Sequence, residues 1–217
     1  MNKLLKRALI LALITVFYNI IEGFVSMLLG AEDETLALFG FGADSFVEVI
    51  SGIGILHLIY RLNYGNVEKR DSFEKTALRI TGTAFYLLTI GLVIGAVLII
   101  VNNNKPDSTI AGIIISSISL LTMYYLMTAK LKVGKELNSD AIIADAKCTK
   151  TCFYLSFVLL ASSGAYELLQ IGYIDAIGSL GIAYFAFSEG KESFAKAKSG
   201  DLLCSCEDDC SVEGEKS

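Results

Sequence analysis

The sequence predicts an all-α polytopic membrane protein: a bundle of six transmembrane helices with both termini on the cytoplasmic side. Three observations carry this reading. Hydrophobic residues make up 53% of the 217 residues, charged residues only 19%, and the mean hydropathy is +0.58, whereas soluble domains carry about 25% charge. The apolar residues gather in blocks of roughly 20 or more, long enough to cross a hydrocarbon core of about 30 Å at about 1.5 Å per helical residue. The lysines and arginines collect at alternate connections between those blocks.

Taken in order, the blocks give spans at 8–29, 36–60, 77–101, 109–129, 140–165 and 171–190. The first follows Lys3, Lys6 and Arg7 as a secretory leader would. Its run is too long for a leader and no small-residue cleavage site follows, so it reads as a span. Spans two and three are separated by Arg61, Lys69, Arg70, Lys75 and Arg79, and spans four and five by Lys130, Lys132 and Lys135. Lys191, Lys196, Lys198 and Lys216 follow span six, while the other three connections carry only Lys105. Basic residues stay on the cytoplasmic side of short loops. Both termini are therefore expected in the cytoplasm, with Glu32, Asp33, Glu34 and Asn102, Asn103 and Asn104 facing out. Gly40, Gly42, Gly52, Gly54, Gly91 and Gly95 are candidates for close helix contact. No internal repeat is visible. Residues 1–199 thus form one membrane domain, and 200–217 an acidic, cysteine-containing tail too polar and too short to build a core.

Several functions are excluded at this level. A net charge of −5 and basic residues confined to short loops argue against a nucleic-acid partner. No nucleophile with a base, phosphate-cradling loop or nucleotide motif is present, so neither an enzyme nor a bound cofactor is expected.

An ionisable group inside a span costs a few kcal/mol on insertion scales and faces a cavity or the bundle interior, usually for a task. Span two carries Asp44 and Glu48, four residues apart and stacked on one face about 6 Å from each other. Two carboxylates that close favour a shared proton or a bound cation; the plainer alternative is hydrogen bonding to neighbouring helices. Span five repeats the spacing with Cys148 and Cys152, and Asp145 shares their face. A free thiol is by itself an ordinary small buried hydrophobe. Depth changes its meaning: Glu48 and Cys152 each lie 12 to 13 residues from the outer ends of their helices, roughly 18–20 Å along the axis. The two pairs can meet.

Two carboxylates and two thiolates from facing helices make a tetrahedral oxygen-and-sulfur site suited to Zn²⁺, with Cd²⁺ as a soft competitor, and poorly suited to Mg²⁺ or Ca²⁺. Thiols lose protons when they bind metal, so metal and protons compete for one site. Span one adds Asn19 and Glu22, and together with Asp145 these are candidates for orienting a ligand or carrying a proton. His57, the only histidine, stands near the inner end of span two and reads as interfacial. Lys147 and Lys150 flank Cys148. Either they snorkel into an inner vestibule, or span five starts near residue 151 and Cys148 lies outside it.

These residues resemble the cation diffusion facilitator family of divalent-metal efflux proteins. The stretch from Gly40 to Glu48 resembles the family's second helix, whose Asp-Ser-x-x-Asp pattern carries two metal ligands. Residues Ser139 to Cys152 resemble its fifth helix, where a Ser-x-Ala-Leu-x-Ala-Asp stretch leads into a His-x-x-x-Asp ligand pair. Carried over residue by residue, the ligands fall on Asp44, Glu48, Cys148 and Cys152. The resemblance implies a multi-pass cell-membrane exporter, commonly a homodimer, that exchanges a divalent transition metal for protons. Cysteine in place of histidine and aspartate shifts preference toward softer metals and leaves Zn²⁺, Cd²⁺, Fe²⁺, Co²⁺ and Mn²⁺ open. The chain is expected to be a short variant without the family's cytoplasmic ferredoxin-like domain. In the tail, Cys204, Cys206 and Cys210 either capture cytosolic metal or form a reduced, disordered segment. A stable disulfide is not expected there. Two other functions stand beside export: a membrane metal sensor or scaffold acting through the tail, and a thiol-disulfide protein cycling Cys148 and Cys152.

Overall fold

The computed structural model describes residues 3–33, 35–64, 71–102, 105–171 and 173–199. These residues are all-helical, with six helices and no strand: α1 (Lys3–Glu32), α2 (Leu36–Leu62), α3 (Ser72–Asn102), α4 (Ile110–Glu136), α5 (Asp140–Leu169) and α6 (Tyr173–Ser199). Five of them are long and apolar enough to cross a membrane. The sixth falls short because Asp175, Glu189, Lys191, Glu192, Lys196 and Lys198 dilute its apolar residues. The other three cysteines, Cys204, Cys206 and Cys210, lie outside the described residues, as do Glu34, Lys69, Arg70, Asn103, Asn104 and Lys216.

The outer surface is apolar to a degree that water would not tolerate. On α3, Leu87, Ile94 and Val101 are 66%, 55% and 74% exposed, while Leu78, Phe85, Leu92 and Ala96 turn inward. Such a continuous exposed face fits a hydrocarbon solvent. With little hydrophobic drive between helices in lipid, close packing must hold the bundle. The most extensive seams join α3 to α6, α1 to α2 and α4 to α5. Between α1 and α2 the backbones themselves touch. A Cβ added at Gly42 would lie 2.7 Å from the Met27 amide nitrogen, and one at Gly30 would lie 2.5 Å from that of Phe39. Gly91, also a candidate contact by sequence, has nothing within 4 Å of such a Cβ and faces outward.

The starts of α2, α3 and α4 are satisfied by remote or reciprocal caps. Thr35 makes no side-chain cap for α2; instead the Asp175 carboxylate of α6 accepts the Leu36 and Ala37 N–H groups at 3.0 and 3.3 Å. The start of α3 has a reciprocal box, Asp71 Oδ1 accepting the Glu74 N–H at 2.9 Å and Glu74 Oε2 accepting that of Asp71 at 3.4 Å. Glu167 of α5 accepts the Thr109 N–H at 2.8 Å where α4 begins. At the end of the bundle away from the N terminus, the connections knit together: Thr35 donates to the Ser108 carbonyl at 3.1 Å and Tyr166 to that of Pro106 at 2.6 Å.

Two apolar clusters bracket a polar layer. Leu38, Phe41, Leu92, Leu155, Leu159 and Ile182 fill the half away from the N terminus. Leu5, Ala12, Ile59, Val133 and Ile142 fill the half that carries it. The helices run past the apolar blocks, so Lys130, Lys132 and Lys135 belong to α4, and Lys191, Lys196 and Lys198 to α6, instead of to connections. Of these, Lys130 and Lys196 are buried, which the hydrogen bonds described next make tolerable.

Candidate metal centre

The polar layer is organised around one carboxylate. Glu48 of α2 accepts a hydrogen bond from the Cys152 thiol of α5 at Oε1, 2.6 Å away, and from the Asn19 amide of α1 at Oε2, 2.9 Å away. The depth match read from the sequence between Glu48 and Cys152 is therefore a direct contact. One turn earlier, Asp44 is 2% exposed, and its Oδ1 meets no donor among the described residues. Glu22 accepts from the Ser45 hydroxyl at 3.2 Å through Oε2. Its Oε1 and the Asn19 Oδ1 likewise meet no donor. Three buried oxygen acceptors thus lack a donor on neighbouring turns of α1 and α2.

Cys148 is engaged differently. Its sulfur accepts a hydrogen bond from the Lys196 ammonium of α6 at 3.3 Å, and the same ammonium lies 2.6 Å from Glu192. Asp145 forms an ion pair with Lys130 of α4 at 3.0 Å, and Thr149 accepts from the same ammonium at 3.1 Å. No three of Asp44, Glu48, Cys148 and Cys152 bring their ligand atoms mutually within 4.8 Å. Neither Cys148 nor Cys152 is in a disulfide. Because α5 is one helix from Asp140, Cys148 and Cys152 stand a turn apart on it, and Lys147 and Lys150 are exposed on its other side. Lys150 lies over the Tyr154 ring, 5.6 Å from its centroid.

All six helices line a cavity of about 60 Å³ at this layer, within the half of the bundle that carries the N terminus. Glu48, Cys148, Cys152 and Asp145 face it together with Lys130, Glu189 and Lys196. The last three were not singled out from the sequence. Lys130 and Lys196 look like flanking cations there, and Glu189 falls at the very edge of the sixth apolar block, where a carboxylate reads as a boundary. The available signal was helical periodicity: Glu189, Ser193 and Lys196 recur at four and then three residues, which places them on one face.

Chemically, the layer offers carboxylate oxygen and thiol sulfur from different helices. Bonds of about 2.3 Å to sulfur and 2.0 Å to oxygen at a tetrahedral angle set the two ligand atoms about 3.5 Å apart. Glu48 and Cys152, at 2.6 Å, would have to part by roughly 1 Å to grip Zn²⁺.

A second group of metal-ligand types lies at the N-terminal end, where His57, Asp71 and Glu74 place ligand atoms within 4.8 Å of one another. It already has a cation. Arg61 lies 2.7 Å from Glu74 and 3.6 Å from Asp71, and His57 Nε2 lies 2.9 Å from Asp71. The Glu74 N–H does most to hold the Asp71 carboxyl below its usual range, against the opposing effect of burial, and His57 and Arg61 add smaller contributions.

Searched against protein-family models and curated proteins, the chain matches none.

Proposed function

We propose that this chain exports a divalent transition metal, Zn²⁺ foremost, from the cytoplasm, taking up protons in exchange. The observation that carries this reading is the contact of Glu48 with Cys152, an oxygen and a sulfur ligand from two helices, inside a cavity lined by every helix. Three neighbouring acceptor oxygens without donors support it, because a buried acceptor is costly unless a proton, a water or a cation reaches it. The resemblance of helices two and five to the cation diffusion facilitator family points the same way.

In this reading α6 is the sixth span. Its Glu189, Ser193 and Lys196 turn toward the cavity instead of lipid, which offsets its low apolar content. Both termini are cytoplasmic by the distribution of lysine and arginine, and the working unit is a homodimer by the family resemblance. The ion enters the cavity from the cytoplasm, binds Glu48 and Cys152, and draws in Asp44 and Cys148. The thiols release protons as they bind. The apolar cluster around Phe41 and Leu159 then separates to expose the ion to the outside, where protons take its place.

Purified protein in liposomes should move Zn²⁺ when a pH gradient is imposed, and the Cys148→Ala/Cys152→Ala double variant should lose that flux. Zinc flux at the wild-type rate in the double variant would remove these residues from the transport path.

A further inference from the structure

The buried lysine of α6 has a role that the ligand set does not account for. Lys196 is 5% exposed, and its ammonium lies 3.3 Å from the Cys148 sulfur and 2.6 Å from Glu192. Lys191 and Lys198, its neighbours in the same stretch, are exposed, so Lys196 is the α6 lysine that reaches the cavity. The second buried lysine of the layer, Lys130, is held by both Asp145 and Thr149.

We infer that Lys196 is a tethered counter-cation: it occupies Cys148 between rounds of transport and yields that sulfur to the incoming divalent metal. This rests on the export reading above. The physics is direct. An ammonium held against the sulfur and a divalent metal bound to it are two cations within a few ångströms, which repel strongly where the dielectric is low. Glu192, already within bonding distance, gives the displaced ammonium a place to go on the same helix face, and the long, flexible lysine stem allows the swing. Lys196 is therefore a positioning residue, which tunes how tightly the ligands hold the ion and how readily they release it.

The test is zinc binding by calorimetry on the full-length detergent-solubilised protein, together with zinc flux in liposomes, for wild type and Lys196→Met. Removing the competing charge should tighten binding at least tenfold, about 1.4 kcal/mol, while maximal flux falls because release is slowed. A purely structural lysine predicts the opposite sign, weaker binding. Unchanged or weakened binding overturns the inference. If Lys196→Met does not fold, Lys196→Gln, which keeps a hydrogen-bond donor without the charge, takes its place with the same expected and overturning results. Glu48→Gln separates the two levels. If wild type binds zinc no better than Glu48→Gln does, the export reading falls, and the inference with it. If wild type binds through Glu48 and Lys196→Met does not bind more tightly, only the inference falls.

Discussion

Asp71 joins two structural tasks in one side chain. Its Oδ1 closes the first turn of α3 by accepting the Glu74 N–H, while its Oδ2 faces His57 and Arg61 at the end of α2. The folded carboxyl is held below its usual range, chiefly by that amide. A depressed carboxyl contributes stability that is fully present above the unfolded value of about 3.9 and is lost as pH falls through the lower folded value. Hydrogen exchange in the first turn of α3 should therefore be slower in wild type than in Asp71→Asn at neutral pH, and the two should converge below pH 3.9. A constant difference across that range would show that Asp71 acts by geometry alone. At this scale the sequence was legible where chemistry and depth agreed, as with Glu48 and Cys152. It was illegible for Lys196 and Glu189, because a charge at the end of an apolar block looks the same whether it faces water or turns inward. The contact of Cys148 with Lys196 was hidden for the same reason.

The element that most constrains the fold is the seam between α1 and α2. At Gly42 the neighbouring atoms that a new Cβ would meet are the backbone nitrogen of Met27 and the carbonyl oxygen of Gly23, at 2.7 and 2.9 Å, and backbone cannot rotate aside. Gly42→Ala should cost roughly 1–3 kcal/mol as an overpacked contact. Gly91→Ala, with nothing within 4 Å of its Cβ, should be neutral or stabilising by up to about 1 kcal/mol through helix propensity. Thermal unfolding in detergent checks both, and equal melting temperatures for the two variants would mean the seam can widen without cost. The order of the six helices was readable from the apolar blocks, since length and hydropathy alone define them. Their ends were not: α4 and α6 continue through lysines whose burial depends on acceptors on other helices. Gly23 and Gly30 went unnoticed because glycine is common in membrane helices and spacing does not show which face meets a partner.

Across the whole molecule, the three most extensive seams divide the bundle into pairs, α1 with α2, α4 with α5 and α3 with α6. Each pair brings its own part of the polar layer: Asn19, Asp44 and Glu48 from the first, Lys130, Cys148 and Cys152 from the second, Glu189 and Lys196 from the third. Pairs that slide past one another would assemble and dissolve the centre without breaking any pair. A Cβ at Gly178 of α6 would lie 3.4 Å from that of Ala37 of α2, near the separation of bridged cysteines, about 3.5–4.5 Å. The Ser162 Cβ, 2.5 Å from that position, is fixed to its backbone, so α5 must shift away from α6 for an Ala37→Cys/Gly178→Cys disulfide to form; once formed, it should stop zinc flux when oxidised and release it when reduced. Flux that persists through the oxidised bridge would rule out relative motion of these pairs. The same region holds the Asp175 carboxylate, which finishes the backbone of a helix belonging to a different pair. Parting α2 from α6 leaves two amide protons and one anion to be rehydrated together. This end of the bundle is thus held by a buried polar joint, and on the export reading water entering that joint is an obligatory participant in each opening instead of a mere bystander.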